Sequence, residues 1–174
     1  GESVSWDDAG YWQGMWYIST MYLLLITTTL SVYYTPKLSE LKNNNELKKE
    51  IKNGYIKIIP FTVLFSVAIY ILREDVIRIA FSESFLPMLE LFKWQLAGDV
   101  MKISSYLLST MMIAKAMTKK YIYSELFFSG SFVLLAIFFI QQYGLVGITY
   151  AYFINYLFYF FFLVFSFRWL FYEK

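Results

Sequence analysis

Two long stretches without a charged residue constrain the fold of this chain more than any other feature. The first is the 28 residues of 9–36, and the second is the 42 residues between Glu125 and Arg168. A helix that crosses a bilayer needs about 20 predominantly apolar residues, so the first stretch fits one span and the second fits two. Tyrosine and tryptophan residues stand at both ends of the first stretch, as they do at membrane interfaces. The sequence therefore indicates a membrane protein.

We predict five spans, which make the chain an all-α polytopic transmembrane helix bundle. The predicted spans cover about residues 10–35, 55–79, 93–116, 121–141 and 145–168. The second span is built on a short apolar run, which we extend because the Lys57 side chain can reach the interface and the helix can continue toward Ile79. An odd number of spans that begins outside, with no signal sequence before it, predicts that an N-terminal portion precedes these residues.

Charged residues between the spans predict the orientation of the chain. Residues 37–57 are a predicted basic loop, which the positive-inside rule places in the cytoplasm. A lipid head group could also bind there, although topology alone explains such a loop. Residues 73–92 alternate charged and apolar side chains and predict an amphipathic segment on the outer surface, bent at Pro87. Because the charges are segregated in this way, we expect contact with the lipid bilayer and no nucleic-acid partner.

The composition excludes several kinds of chemistry. The 174 residues include no cysteine and no histidine. Thiolate and imidazole ligands are therefore missing, and so is the histidine on which Ser-His-Asp catalysis depends. We expect no catalytic residue, no metal site and no cofactor.

Two opposite charges lie inside one predicted span. At about 100° per residue, Gln95, Asp99, Lys102 and Tyr106 fall on one face of a helix. An aspartate or a lysine at the bilayer centre costs about 2.5–3.5 kcal/mol, so both should face a partner or an aqueous cavity. Two interpretations remain open. Asp99 and Lys102, three residues apart, form a structural ion pair, or they line a transport pathway.

Polar and aromatic residues on other spans are further candidates for such a pathway. Gln13 and Trp16 lie on the polar side of the first span, where packing between helices is an equal alternative. One face of the last span carries Tyr152, Asn155, Tyr156 and Tyr159. These side chains can hydrogen-bond to sugar hydroxyls, although tyrosines packed between helices are as common.

Carboxylates that can take up a proton form a separate set. Glu125 lies at the inner end of the fourth span, and we consider it with Asp99 as a candidate for coupling proton entry to transport. The alternative is that Glu125 pairs with Lys119 or Lys120 at the interface.

Two blocks of the sequence resemble a known family. The first covers residues 5–14 (SWDDAGYWQG) and continues through 18–23 (ISTMYL) and 31–39 (SVYYTPKLS). The second covers residues 92–102 (FKWQLAGDVMK), followed by 113–115 (IAK). These blocks resemble the bacterial Wzx-type flippases of O-antigen and enterobacterial common antigen, within the multidrug/oligosaccharidyl-lipid/polysaccharide exporter superfamily.

The resemblance implies a fold of about twelve spans in two lobes around a central cavity, of which this chain would be the C-terminal part. It implies transport of an oligosaccharide repeat unit on undecaprenyl pyrophosphate across the bacterial inner membrane, with other polysaccharide assembly proteins as partners. On this resemblance, Lys102 attracts the pyrophosphate and Asp99 keeps Lys102 charged and oriented. Another exporter of the superfamily, or a membrane enzyme that polymerises or ligates lipid-linked sugars, remains the alternative.

Overall fold

A computed structural model of the chain describes residues 5–170, and within them every regular element is a helix. The α-helices are α1 (Trp6–Thr29), α2 (Thr35–Glu40), α3 (Asn44–Ile71), α4 (Arg73–Ala80), α5 (Leu89–Ala114), α6 (Thr118–Tyr143) and α7 (Val146–Ser166). A π-helical turn, Leu30–Tyr34, joins α1 to α2, and 3₁₀ helices cover Glu83–Met88 and Arg168–Leu170. The prediction of an all-α polytopic bundle is confirmed.

The first helical segment begins with a capping box and contains one widened turn. Ser5 Oγ accepts a hydrogen bond from the Asp8 amide at 3.1 Å, and the Asp8 carboxylate accepts one from the Ser5 amide at 2.8 Å. Further along, Pro36 has no N–H to donate to the carbonyl of Val32, and the π-helical turn directly precedes this proline. The helix therefore continues past the proline as one 35-residue segment, Trp6–Glu40.

Among the described residues, four helical segments are long and apolar enough to cross a membrane: Trp6–Glu40, α3, α6 and α7. α5 has 26 residues, as many as α6, but its sequence includes Glu90, Lys93, Asp99 and Lys102. It packs mainly against α7 and α3, and also contacts α1 and α2. The helix with these charges is thus the one that other helices cover most, and its passage through the membrane stays a prediction.

The prediction of a basic loop over residues 37–57 is wrong. Only residues 41–43 connect α2 to α3, and both helices extend into the lysine-rich region. Leu47 and Ile51 are buried there, and Lys37 and Glu50 form a salt bridge of 2.7 Å between the two helices. Except for Lys42 in the connection, the lysines of this region lie on the exposed or half-buried sides of amphipathic helices. Charged residues are as compatible with such a helix as with a loop.

The second predicted span also has different ends. α3 begins at Asn44 and has 28 residues, so it is long enough to cross a bilayer by Ile71. It does not continue to residue 79, because the helix is interrupted at Leu72 before α4 begins. The segment predicted over 73–92 consists of α4, the 3₁₀ helix with Pro87 and the first turn of α5.

The helices bring together, at one end of the bundle, two connections that contain one lysine each. Residues 41–43 lead into α3 and residues 115–117 lead into α6, and the Lys115 ammonium donates a hydrogen bond to the Leu41 carbonyl. This end is termed the lysine-rich end. At the opposite end Gly144 closes α6 with φ of 61°, a left-handed conformation that glycine adopts without strain.

Candidate functional site

Asp99 of α5 is fully buried and joins this helix to its neighbours. Its carboxylate accepts hydrogen bonds from the Tyr22 hydroxyl of α1 at 2.8 Å and the Tyr152 hydroxyl of α7 at 2.9 Å. The Tyr22 hydroxyl also lies 3.2 Å from Ser66 Oγ on α3. Since each carboxylate oxygen has a donor, the position of Asp99 is fixed by neutral partners on two other helices.

Lys102 lies three residues further along α5, and its ammonium faces three aromatic rings. Lys102 Nζ is 5.2 Å from the ring centroid of Trp16 on α1, and 5.9 and 5.7 Å from those of Tyr152 and Tyr156 on α7. Lys102 and these three aromatic residues are termed the aromatic box. The rings of Trp16 and Tyr152 also contact each other edge-on, with centroids 6.1 Å apart. Such contacts stabilise a cation without neutralising it.

The ion pair that the spacing of Asp99 and Lys102 allows is not formed. Within the described residues, no Lys102 nitrogen lies within 4.0 Å of an Asp99 oxygen. The reason is geometric, because tyrosine hydroxyls occupy both carboxylate oxygens while the lysine points into the aromatic box. Lys102 is half-buried and makes no hydrogen bond or salt bridge with another described residue. Its N–H donors therefore remain available to a ligand.

Three further candidates lie outside the aromatic box. Gln95 is buried, and neither its Nε2 nor its Oε1 has a hydrogen-bond partner among residues 5–170. The Tyr106 hydroxyl lies 2.9 Å from Ser31 Oγ in the π-helical turn. Gln13 is exposed and donates a hydrogen bond to Tyr17 at 3.3 Å. Of these three side chains, only Gln95 is buried with polar atoms left to satisfy.

The predicted tyrosine face of α7 is divided between two neighbouring helices. Two of its tyrosines face α5 and belong to the aromatic box. Asn155 faces α6 instead, where its Oδ1 accepts a hydrogen bond from Ser131 Oγ at 2.6 Å. Tyr159 donates a hydrogen bond of 2.7 Å to Glu125 Oε1, also on α6. For Asn155 and Tyr159 the structure therefore provides contacts between helices.

Glu125 does not pair with Lys119 or Lys120 in the described part of the chain. Its carboxylate accepts the Tyr159 hydrogen bond, and Lys120 Nζ lies 4.2 Å from the ring centroid of Phe167. The interpretation of an interfacial ion pair is therefore wrong. Glu125 is half-buried, and its role in proton coupling stays a prediction.

Sequence reasoning missed Tyr22 and Ser66 as partners in this network. Tyr22 lies on the buried side of α1 with Met15 and Ile26, so its position in the sequence resembles that of an apolar core residue. Ser66 has a clearer signal, because Ser66 and Thr62 place two buried hydroxyls one turn apart in a largely apolar stretch. Small hydroxyl residues at this spacing are typical of contacts between membrane helices.

The arrangement is suited to an anionic ligand. Lys102 supplies a positive charge that no neighbouring carboxylate neutralises by direct contact, and the rings around it supply flat apolar surface. No cluster of three or more histidine, cysteine, aspartate or glutamate side chains that could hold a metal ion occurs among the described residues.

Fold and site together define a multi-pass helical membrane protein with a cationic, aromatic-lined site inside its bundle. The chain is 36% identical over 159 residues, or 90% of its length, to the lipid III flippase of Escherichia coli (strain K12) and to that of Shigella flexneri. It spans 38% of the length of these curated relatives. No protein-family model matches the chain, and no solved structure matches it. The 36% identity supports the resemblance to Wzx-type flippases, with the chain similar to a partial region of them.

Proposed function

We propose that this chain is part of a flippase that moves an undecaprenyl-pyrophosphate-linked oligosaccharide from the cytoplasmic to the periplasmic leaflet of the inner membrane. The translocated oligosaccharide would serve the synthesis of a surface polysaccharide such as O-antigen. The name of the relatives, lipid III flippase, supports the transport of a lipid. The oligosaccharide repeat unit as cargo is implied by the family that the two sequence blocks resemble. In this proposal the protein transports its substrate without catalysing a reaction on it.

The observation that carries the proposal is the position of Lys102. It lies near the middle of α5, half-buried, among three rings and without a salt bridge to a described residue. A pyrophosphate that enters a low-dielectric interior loses its hydration, which is costly unless a positive charge compensates. Lys102 supplies that charge at mid-helix, where the cost is largest. The aromatic rings hold the ammonium in place between transport cycles.

Asp99 has a positioning role in this proposal. Tyr152 donates a hydrogen bond to Asp99 and contributes its ring to the aromatic box, so the position of the box depends on the Asp99 contacts. Transport by alternating access requires helices to shift relative to one another, and a polar network between helices changes with such a shift. Gln95 fits this proposal as a buried amide that gains partners when the site opens.

A proton-coupled mechanism would use carboxylates close to Lys102. Asp99 on α5 and Glu125 on α6 both lie within electrostatic reach of its ammonium. We propose them as the candidates for such coupling. Glu125→Gln in the full-length protein should then make export independent of the proton gradient, as measured by export with and without an uncoupler; unchanged gradient dependence would remove Glu125 from the proposal.

Replacement of Lys102 tests the proposal directly. In full-length protein expressed in a strain that lacks its own copy, Lys102→Met keeps the length of the side chain and removes the charge. We expect export to fall by about 10- to 100-fold, because a charge-assisted contact to the substrate contributes about 1.5–3 kcal/mol. The measurement is surface polysaccharide per copy of membrane-inserted protein, together with the lipid-linked oligosaccharide left in the inner leaflet.

A matched control lies on the same helix. Lys93 is an exposed lysine of α5 whose Nζ lies 5.2 Å from the Trp94 ring centroid, outside the aromatic box. Lys93→Met makes the same change in net charge and should export normally. Equal export by the two variants, at equal protein levels, would contradict a substrate role for Lys102.

Single cysteines test the proposed orientation, in full-length protein from which other cysteines have been removed. Asn45 and Ser84 are exposed residues at opposite ends of the bundle. An impermeant thiol reagent added to intact spheroplasts should label Ser84→Cys and leave Asn45→Cys unlabelled, and the reverse pattern would overturn the orientation.

A further inference from the structure

A cavity lies at the lysine-rich end, remote from the aromatic box. It has a volume of about 350 Å³ and is enclosed by the end of α2, the start of α3, the end of α5 and the segment after α7. Lys115, in its wall, follows Lys102 by 13 residues, which corresponds to about 20 Å along α5 at 1.5 Å per residue. The two sites therefore do not share a ligand group.

Two lysines give this cavity a positive charge. Lys42 is exposed on the connection between α2 and α3, and Lys115 closes α5. The Lys115 ammonium donates one hydrogen bond to the Leu41 carbonyl, which fixes it at the wall and leaves two N–H donors. The described residues that line the cavity include no aspartate and no glutamate. The cavity thus has a net positive charge that its own lining does not neutralise.

Helix starts and helix ends both lie beside the cavity. Asn44, the first residue of α3, lines it, and so does Met117, which precedes the first residue of α6. The start of α6 has no side-chain cap, so its first N–H groups lack a side-chain acceptor. The positive ends of the α3 and α6 dipoles therefore lie beside the two lysines, together with the negative ends of α2 and α5, so the lysines are the main source of positive charge.

The floor and one wall of the cavity are apolar. Leu47 and Met111 are buried at its base, and the ring of Trp169 forms part of its rim with 38% of its surface exposed. A tryptophan at the end of a helix bundle is typical of the membrane interface. Basic pockets between helices at this depth are suited to the phosphate of a lipid head group, while the apolar part contacts the first carbons of its acyl chains.

We infer that this cavity binds a phosphate group, carried by an anionic lipid or free in solution, and that its apolar floor favours the lipid. The site is separate from the aromatic box, and binding to purified protein can be measured whether or not the protein is a flippase. The inference therefore does not depend on the proposed transport function.

Lipid titration of the full-length protein tests the inference. Native mass spectrometry would measure occupancy by phosphatidylglycerol and, separately, by zwitterionic phosphatidylcholine. We expect a preference for phosphatidylglycerol, reduced about 30-fold in affinity by the double change Lys42→Gln with Lys115→Gln. Each lysine near an anionic lipid contributes about 1 kcal/mol, which is about 5-fold. Lys42→Gln alone preserves the hydrogen bond to Leu41 and should reduce the affinity about 5-fold.

The control is a second pair of lysines with the same charge. Lys49 and Lys52 are exposed on α3 near the same end and do not line the cavity. Lys49→Gln with Lys52→Gln should change the affinity for phosphatidylglycerol less than 2-fold, about 0.4 kcal/mol. Equal losses in the two double variants, or equal binding of the two lipids to wild-type protein, would overturn the inference unless inorganic phosphate binds in a cavity-dependent way.

Inorganic phosphate distinguishes the two sources of the phosphate group. If millimolar phosphate binds wild-type protein, displaces phosphatidylglycerol and loses affinity in the Lys42 and Lys115 variants, the site takes free phosphate. If phosphate leaves lipid occupancy unchanged, the site takes the lipid. Absence of cavity-dependent binding for both phosphate and phosphatidylglycerol would contradict the inference entirely.

Discussion

α5 and α6 have the same length and opposite surroundings. Each contains 26 residues, but 15 residues of α5 are buried and only three of α6 are. α6 has the apolar composition of a membrane span, whereas α5 has a charged pair at its centre. In this bundle the more polar helix is inside and the more apolar helix is outside.

The difference follows from the solvent. Lipid tails are about as apolar as leucine, so covering an apolar helix with protein gains little in a bilayer. Polar groups have no hydrogen-bond partners in the hydrocarbon and must find them in the protein. Asp99 does so with two tyrosines on neighbouring helices, while α6 leaves Leu126, Phe127 and Leu134 exposed. Burial in this chain therefore follows polarity and packing, and hydropathy alone does not predict it.

Glycines provide the strongest test of this contrast. A Cβ at Gly98 of α5 would overlap the Tyr152 ring and lie 3.3 Å from the Phe153 Cα, whereas one at Gly130 of α6 would meet nothing within 4 Å. We expect Gly98→Leu to destabilise the full-length protein by about 4 kcal/mol, above the usual 1–3 for overpacking because backbone atoms block relaxation. Gly130→Leu should lower stability by no more than about 0.5 kcal/mol. Unfolding of purified protein in detergent measures both, and equal effects would show that α6 is packed as closely as α5.

A leucine pair gives the second-largest expected effect. Leu107 of α5 is fully buried, and Leu134 of α6 is 71% exposed. Leu107→Ala leaves a cavity and should lower the free energy of unfolding by about 3 kcal/mol. At Leu134 the side chain faces lipid before and after replacement by alanine, so the loss should be less than about 0.5 kcal/mol. The same unfolding assay applies. A large cost at Leu134 would indicate that another part of the full-length protein covers this face.

Much of the fold was predictable because the bilayer imposes a simple rule on sequence. Uncharged stretches of membrane length predicted the helices α1, α6 and α7. In residues 37–57, the charged residues and the three consecutive asparagines at 43–45 are typical of a loop. In the structure only Asn43 acts as a breaker, since its side chain caps α3 by accepting the Asn45 amide at 2.9 Å. A solvated helix and a solvated loop have similar amino-acid compositions, so composition alone does not distinguish one from the other.

The candidate site was predictable only in part. Helical periodicity placed Asp99 and Lys102 on one face correctly, since it depends on one helix alone. Their partners depend on how α1 and α7 are rotated against α5, which is a property of packing between helices. For this reason the structure has hydrogen bonds from Tyr22 and Tyr152 and the aromatic box in place of the ion pair, which was one of the two open interpretations.

Replacing two tyrosines allows the buried helix α5 and the exposed helix α6 to be compared at the level of single hydrogen bonds. Tyr22 donates to fully buried Asp99, and Tyr159 donates to half-buried Glu125. Tyr22→Phe should cost about 2 kcal/mol, as expected for a hydrogen bond to a buried charge, and Tyr159→Phe about 1 or less. The measurement is again the free energy of unfolding. A larger loss for Tyr159→Phe would place the more important polar contact outside α5.

The smallest expected effect on stability separates the ring of Tyr156 from its hydroxyl. The ring centroid lies 5.7 Å from Lys102 Nζ, and the hydroxyl makes no hydrogen bond to a described residue. Tyr156→Phe keeps the ring and should change stability by less than about 0.5 kcal/mol, whereas Tyr156→Leu removes the cation–π contact and should cost about 1.

Export distinguishes the two parts of Tyr156 further. If the hydroxyl contacts sugar, Tyr156→Phe should lower export per copy of protein by about 2- to 10-fold, since a hydrogen bond contributes about 0.5–1.5 kcal/mol. If the residue only holds Lys102, Tyr156→Phe should export normally and Tyr156→Leu should not. Normal export by both variants would show that Trp16 and Tyr152 suffice to position Lys102, and the functional part of the box would then contain two rings.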